Sequence, residues 1–332
     1  MDSSLGLGRL INMSQQLLIQ NENTIYEPVI EDEITWTTER KGAAGKLEFK
    51  TLKDDIIKFE EGNQVAFKVD NTNLFYGFIF KKKRDKENII NTTAYDQLRY
   101  LKNKDTKTYT NKRADELVRI IANEYNLNIG TLENTGYVIA RKAESNQALF
   151  DMILNALDET IRNRKEMYVL YDDYGKLCLK NLERMKVGLV IDEETGENYD
   201  YESSIDSDTY NQIKLTYDNS ETGKREIYIA KDSDNIKKWG ILQYFATIDE
   251  KTNGAVKAKA LLDLYNEKSR KLEIKNALGD VRVRGGSLII VNLNLGDIKL
   301  KNYMLVEQAK HTFKNGEHFM DLKLTGQNFI SS

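Results

Sequence analysis

Ala277-Leu278-Gly279-Asp280-Val281-Arg282-Val283-Arg284-Gly285-Gly286-Ser287-Leu288-Ile289-Ile290-Val291 is the stretch on which the reading of the fold turns. Val281 and Val283 alternate with Arg282 and Arg284, which predicts an extended segment with one apolar face and one face carrying two guanidinium groups. Gly285-Gly286 permits a tight turn or bulge, and Ser287 to Val291 reads as a buried strand. Glu60-Glu61-Gly62-Asn63-Gln64-Val65-Ala66-Phe67-Lys68-Val69 has a similar outline. Setting Gly62 against Gly286 places Val65 on Ile289 and Phe67 on Val291, and a further strand follows each, Leu74 to Phe80 and Tyr303 to Val306. Two copies of one β module in one chain is the organising expectation. Any two halves of a β-barrel would also show an echo of this strength.

A chain of 332 residues predicts two or three compact units, and 40% hydrophobic residues suffice for real cores. The 49 basic residues nearly balance 52 acidic ones, which argues against a general nucleic-acid binder. The single cysteine, Cys178, excludes an internal disulfide and a cysteine-rich metal site, and its alternating strand context predicts a small buried side chain. His311 and His318 flank a predicted hairpin turn and could meet across it. No third ligand is spaced to complete a metal site, so both are expected as surface strand residues. No signal peptide or membrane span is visible, Met13 would serve equally well as a start, and the protein is expected to be made and kept in the cytosol.

Taken in order, residues 17 to about 91 read as strand after strand, including Ile34–Thr38, Lys46–Phe49, Val65–Val69 and Leu74–Phe80. A short helix is predicted over Tyr95–Leu101, a second capped by Asn111 and running to Tyr125, and a third capped by Ser145. The hairpin Met167–Tyr171 with Leu177–Leu182 completes an α+β unit. The acidic, tyrosine-containing segment 187–207 reads as a linker with room for an added strand. A second hairpin follows at Gln212–Tyr217 and Glu226–Ala230, then a helix capped by Asn253, then further β structure with an Asn315-Gly316 turn.

No catalytic constellation stands out. The adjacent carboxylates Asp54-Asp55, Asp172-Asp173 and Glu193-Glu194 are expected to be solvated turn charges. There is no phosphate-cradling glycine loop and no Gly-x-Ser-x-Gly, and two histidines leave few places for a nucleophile–base pair. The expectation is a non-enzyme without metal or cofactor. The alternative is a glycan hydrolase built from dispersed carboxylates.

Thr93-Ala94-Tyr95-Asp96-Gln97-Leu98, Lys102-Asn103-Lys104-Asp105, Trp239-Gly240-Ile241-Leu242-Gln243-Tyr244 and the Ala277–Ser287 stretch together resemble the XkdQ-like family, over most of residues 19–324. These are baseplate hub proteins of contractile phage tails and of tail-like R-type bacteriocins. Residues 1–12 and 187–201 have no counterpart in the resemblance.

The resemblance implies a β-rich α+β fold: two tube-forming, barrel-like β domains with an inserted α+β domain and a helical insertion. The implied division is an N-terminal extension over 1–16, a first tube-type domain over 17–105, and an α+β domain over 106–186. A linker over 187–207, a second tube-type domain from 208–248 and 272–330, and a helical insertion over 249–271 complete it. It implies a homotrimer whose pseudo-sixfold ring joins a sixfold tail tube to a threefold central spike, with tape measure and wedge proteins as further partners. No specific nucleic-acid or membrane binding is implied. Asp280, Arg282, Arg284 and Trp36 are the candidate subunit-interface or lumen residues, with the barrel core favoured for Trp36. An effector-carrying injection-system hub is a further possibility, disfavoured by the absence of a fused spike or toxin domain after Ser332.

Overall fold

The computed structural model describes residues 13–53, 56–193, 195, 198–206, 209–219, 223–248, 252–294 and 299–326. The expected extension up to Asn12, the pair Asp54-Asp55 and Glu194 lie outside the described residues. The chain divides into two compact units, one of residues 1–198 and 274–323 and one of residues 199–273 and 324–332.

In the first unit, β1 (Gln15–Asn21), β2 (Thr24–Tyr26), β3 (Ile30–Glu39), β4 (Lys46–Leu52), β5 (Gln64–Val69), β6 (Thr72–Arg84) and β7 (Ile89–Tyr95) form the order β3-β4-β7-β6-β5-β1-β2. Strict alternation does the work: Leu47 and Phe49 on β4 and Val65, Phe67 and Val69 on β5 all turn inward. With Leu17, Ile19, Ile34, Trp36 and Ile79 they make one core, which also receives Phe313 from far along the chain.

The α+β part contains β8 (Lys104–Lys112), α1 (Ala114–Glu124), β9 (Ile129–Leu132), β10 (Ile139–Ala148), α2 (Leu149–Arg164), β11 (Tyr168–Asp172) and β12 (Leu177–Asn181). Both helices start later than the sequence suggests. Asn111 and Ser145 belong instead to the antiparallel pair β8–β10, whose ladder runs to Lys112 and Ala148. Arg113 and Ala148 are the N-caps, and the Glu116 carboxylate accepts from Arg113 N–H at 2.9 Å. The stripe Leu149, Met152, Ile153, Ala156 and Leu157 is buried as its period predicts.

After β13 (Lys186–Ile191) and β14 (Asn198–Ser204) come β15 (Gln212–Asn219), β16 (Lys224–Lys231), α3 (Ser233–Trp239), β17 (Gln243–Thr247) and α4 (Gly254–Tyr265). The described strands within 208–248, a segment expected in the second β domain, form their own sheet, β16-β15-β17. The reason is a separate core: Ile213 and Leu215 bury against Ala258 and Leu261 of α4. The Asn253 cap is in place, its Oδ1 accepting from Val256 N–H at 3.1 Å, although the helix ends at Tyr265 rather than near Lys271.

The last strands are β18 (Ser269–Leu278), β19 (Leu288–Asn294), β20 (Lys299–Lys314) and β21 (Glu317–Gly326). β19 pairs antiparallel with β20 and parallel with β13. The hairpin β20–β21 turns on Asn315 (φ 53°) and Gly316 (φ 78°), the positive pair a two-residue turn requires.

The two β segments are built alike in atomic detail. Gly62 and Gly286 have φ of 93° and 95°. Gly62 N–H donates to Ile79 O at 2.8 Å and Ile79 N–H returns to Asn63 O at 2.9 Å; Gly286 N–H donates to Val306 O at 2.7 Å and Val306 N–H returns to Ser287 O at 2.9 Å. Asn63 Oδ1 accepts from Glu60 N–H at 2.9 Å, as Ser287 Oγ accepts from Arg284 N–H at 3.0 Å. Val65 faces Gly77 and Ile289 faces Met304, and the aligned pairs Val65/Ile289 and Phe67/Val291 are all fully buried. The strand orders β4-β7-β6-β5 and β18-β21-β20-β19 match as well.

One part of the opening stretch differs from its reading. Residues 279–287 are not a strand but two successive turns. Asp280 Oδ1 accepts from Arg282 N–H at 2.9 Å and Asp280 O accepts from Val283 N–H at 3.1 Å, so a local side-chain bond outcompetes the ladder. Arg282 and Arg284 therefore do not share a strand face.

Candidate functional site

The second-copy turn carries Arg284 into a junction where three parts of the first unit meet. Its guanidinium lies 4.4 Å over the Tyr171 ring and 5.8 Å from the Trp36 ring, and Nη2 donates to Asp172 O at 2.7 Å. Gly285 N–H donates to Thr38 Oγ1 at 2.9 Å. A Cβ on Gly285 would come within 2.4 Å of the Glu39 carbonyl carbon, so only glycine lets the turn lie on β3. Arg40 locks the same corner through two 2.8 Å hydrogen bonds to the Glu307 carboxylate.

Beneath the arginine sit two buried carboxylates. Asp96 accepts from Gly45 N–H at 2.9 Å and from Leu98 N–H at 3.0 Å, capping the short 3-10 turn Gln97–Lys102. Asp172 accepts from Gln97 Nε2 at 2.9 Å and Gly175 N–H at 2.6 Å. Burial pushes Asp172 up to about 6, and burial with the neighbouring Asp172 raises Asp96 well above the usual carboxylate range, while Arg284 opposes both. Asp172 is thus not the solvated turn charge the sequence suggested: the β11 ladder turns its side chain inward, and it is 4% exposed.

The histidines are also corrected. His311 and His318 are buried, not surface residues, because Trp36, Phe313 and Gly279 close over them. Their meeting across the hairpin is as expected, Nδ1 of His311 lying 2.8 Å from Nε2 of His318. His311 Nε2 must donate to Val283 O at 2.9 Å, so its Nδ1 accepts from His318 Nε2–H. That leaves His318 Nδ1 buried without a hydrogen-bond partner. Burial lowers both, to about 3 for His311 and about 4 for His318.

The four candidate residues part company. Arg284 and Trp36 (3% exposed) meet in the junction, Trp36 within the first β core. Asp280 and Arg282 pair with each other at 2.6 Å, the arginine side chain being 64% exposed. Burial would raise the Asp280 carboxyl, but its hydrogen bonds from Arg282 bring it below the ordinary value. Cys178 is buried, as expected. Among the described residues no cluster of three or more metal-ligating side chains occurs. No described helix is long and apolar enough to cross a membrane. Sequence reasoning missed Asp96, Gln97, Tyr171 and Asp172, although Asp96 and Gln97 lie in one of the motifs that carry the resemblance.

The arrangement is a structural lock: stacked cation, buried carboxylates and backbone-to-side-chain bonds hold one β copy, the other and the α+β part in register. A second motif works likewise in the other unit. There, buried Asn211 donates to Gly240 O at 2.7 Å and accepts from Leu242 N–H at 2.9 Å.

The model of the YQBQ-like family matches residues 34–325. The uncharacterized protein YqbQ of Bacillus subtilis (strain 168) is 32% identical over 298 residues, covering 87% of this chain and 89% of YqbQ. The phage-like element PBSX protein XkdQ of the same organism is 33% identical over 276 residues, covering 81% and 82%. Among solved structures, the 43 kDa tail protein of prophage MuSo2 from Shewanella oneidensis superimposes with a TM-score of 0.68 at 11% identity, covering 95% of this chain and all of that one. The E. coli c3393 protein is described as a type VI secretion component with structural similarity to T4 tail proteins gp27 and gp5. It gives a TM-score of 0.58 at 11% identity, covering 96% of this chain and 78% of that one.

Proposed function

This chain belongs to the YQBQ-like family and has the β-rich fold of phage tail and baseplate hub proteins, and from that premise we propose that it is a structural hub of a contractile tail or tail-like particle. Three copies form a ring with pseudo-sixfold symmetry that receives the sixfold tail tube on one side and the threefold spike on the other. The observation that carries this reading is the duplicated β segment, with matching glycine φ angles, hydrogen bonds and strand order in one chain. A trimer of such chains offers six near-equivalent wall segments.

The first tube-type domain spans 17–105 and the second is centred on 272–330, with the α+β domain at the periphery. The tube, spike, tape measure and wedge proteins are its partners in the baseplate, after assembly in the host cytoplasm. The exposed Arg282, paired with the half-buried Asp280, is a contact for a neighbouring subunit or the lumen, and Arg284 with Trp36 shapes the same wall from within. The near balance of charge in the chain suits a channel that does not retain nucleic acid.

Mass in solution and electron-microscopic images of the purified chain test the proposal. The expected result is a trimer with an axial hole. A chain that stays monomeric, alone and with tail proteins, overturns it. Zymography on peptidoglycan tests the hydrolase alternative, and clearing lost on replacing one carboxylate would establish it.

A further inference from the structure

The two copies of the β segment are unequally covered. In the second copy, the Arg284–Gly286 turn lies against β3, and β20 continues past Val306 as a ladder on β3 from Gln308 opposite Glu39 to Phe313 opposite Ile34. In the first copy the equivalent turn, Glu60–Gly62, is exposed, and a Cβ on Gly62 would meet nothing within 4 Å. It borders an open groove of about 770 Å3 lined in part by Phe59, Glu60, Lys82 and Arg84. Past Ile79, the counterpart of Val306, β6 continues as Phe80-Lys81-Lys82-Lys83-Arg84. Its ladder with β5 ends at Phe78 opposite Gln64, so among the described residues that flank of β6 carries no strand.

The missing strand follows from the same equivalence. β4 neighbours β7 as β18 neighbours β21. β3 flanks β4, and its counterpart flanking β18 is β14, Asn198-Tyr199-Asp200-Tyr201-Glu202-Ser203-Ser204. β14 is exposed along most of its length and, among the described residues, pairs with β18 alone. Within one chain the copies are joined by β20 on β3. The equivalent join between chains is β6 on β14.

Charge points the same way. Lys81, Lys83 and Arg84 are exposed and make no ion pair among the described residues, while Lys82 is turned onto the Phe59 ring. Asp200 and Glu202 are exposed, with one ion pair at 3.5 Å from Glu202 to Lys271. Residues two apart on a strand share a face, so Lys81 and Lys83 form one basic row and Asp200 and Glu202 one acidic row. A lysine-rich edge repels an identical edge but accepts an acidic one. We infer that Lys81–Arg84 is the docking edge for β14 of a second copy of this chain, joined by strand addition. The contact is head-to-tail, since its two sides are different surfaces, and such a contact makes a ring when the rotation between copies closes. The inference rests on the hub reading and adds to it the surface through which the copies meet.

The test uses the full chain and its mass as a function of concentration. Lys81→Glu with Lys83→Glu should weaken assembly at least about tenfold, as should Asp200→Lys with Glu202→Lys. Combining the four should restore it, because the signs again oppose. If the reversed chains misfold, Lys81→Gln with Lys83→Gln supplies the reading, and weaker assembly with reduced salt dependence is expected. A wild-type ring indifferent to these changes, or one not restored by the combination, overturns this interface and leaves the hub reading standing. A wild-type chain that never assembles overturns the hub reading itself.

Discussion

Gly62 and Gly286 share a backbone conformation that L side chains rarely adopt, yet their surroundings differ. Alanine at either costs the strain of a positive φ, about 1–2 kcal/mol. At Gly286 the new Cβ would also lie 2.6 Å from Val169 Cγ1, whereas at Gly62 it meets open space. Gly286→Ala is therefore expected to destabilise more than Gly62→Ala, by about 1–3 kcal/mol for the overpacking, as read from urea midpoints. Equal losses would mean that the second turn is not packed as described.

Protons at the same junction give a second expectation. Unfolded histidine binds its proton near pH 6.5, but His318 does so only near 4 and His311 near 3 in the fold. Between these limits the unfolded chain holds more protons, so this contribution to stability grows as pH rises and is complete above 6.5. Asp172 acts in the opposite sense: it keeps its proton up to about 6 in the fold, against 3.8 for a free aspartate, so its contribution falls as pH rises through that window. Asp96 shifts in the same direction as Asp172. Between pH 4 and 6 the two effects oppose, and a shallow profile is expected. Asp172→Asn should expose the histidine slope, with stability rising toward neutral pH. His318→Gln should leave the descending carboxylate slope. An Asp172→Asn profile identical to wild type would show that Asp172 is ionised throughout.

For whole elements, local rules worked where a single stretch supplied its own partners. The α4 cap illustrates this: Asn253 bonds to Val256 N–H within one turn. Asn253→Ala is expected to cost about 1 kcal/mol, and hydrogen exchange should quicken in 254–265 while β1–β7 stay protected. Loss of protection in β1–β7 would contradict the separation of cores. The starts of α1 and α2 were misread because Asn111 and Ser145 are sound caps judged locally, but the ladder between β8 and β10 claims both. Residues 279–284 failed for the reverse reason. Their alternation fits a strand, but Gly279 N–H bonds to His318 O and Asp280 caps its own turn, leaving no ladder for them to join.

Across the molecule, the long strand β20 ties the two copies together. Its first half pairs with β19 and its second with β3, and it delivers Phe313 into the core of the first copy, 5.1 Å from the Phe67 ring. Phe313→Ala is expected to cost about 3–5 kcal/mol and to shift the unfolding of both copies together. Two transitions in a melt, with only the second copy weakened, would contradict this coupling.

The pattern of apolar residues was enough to establish β-rich walls, the α2 stripe, the hairpins and the echo of Val65 and Phe67 in Ile289 and Val291. Each depends on periods of two or three to four residues, and these are properties of a short stretch of chain. Whether Asp172, His311 and His318 face water, where Arg284 points, and which sheet receives residues 208–248 were decided by the tertiary structure. Those outcomes depend on neighbours from other elements, from Ala258 and Leu261 against Ile213 and Leu215 to Arg284 reaching Asp172 and Trp36 across more than a hundred residues, and burial by other segments leaves no period in the local sequence.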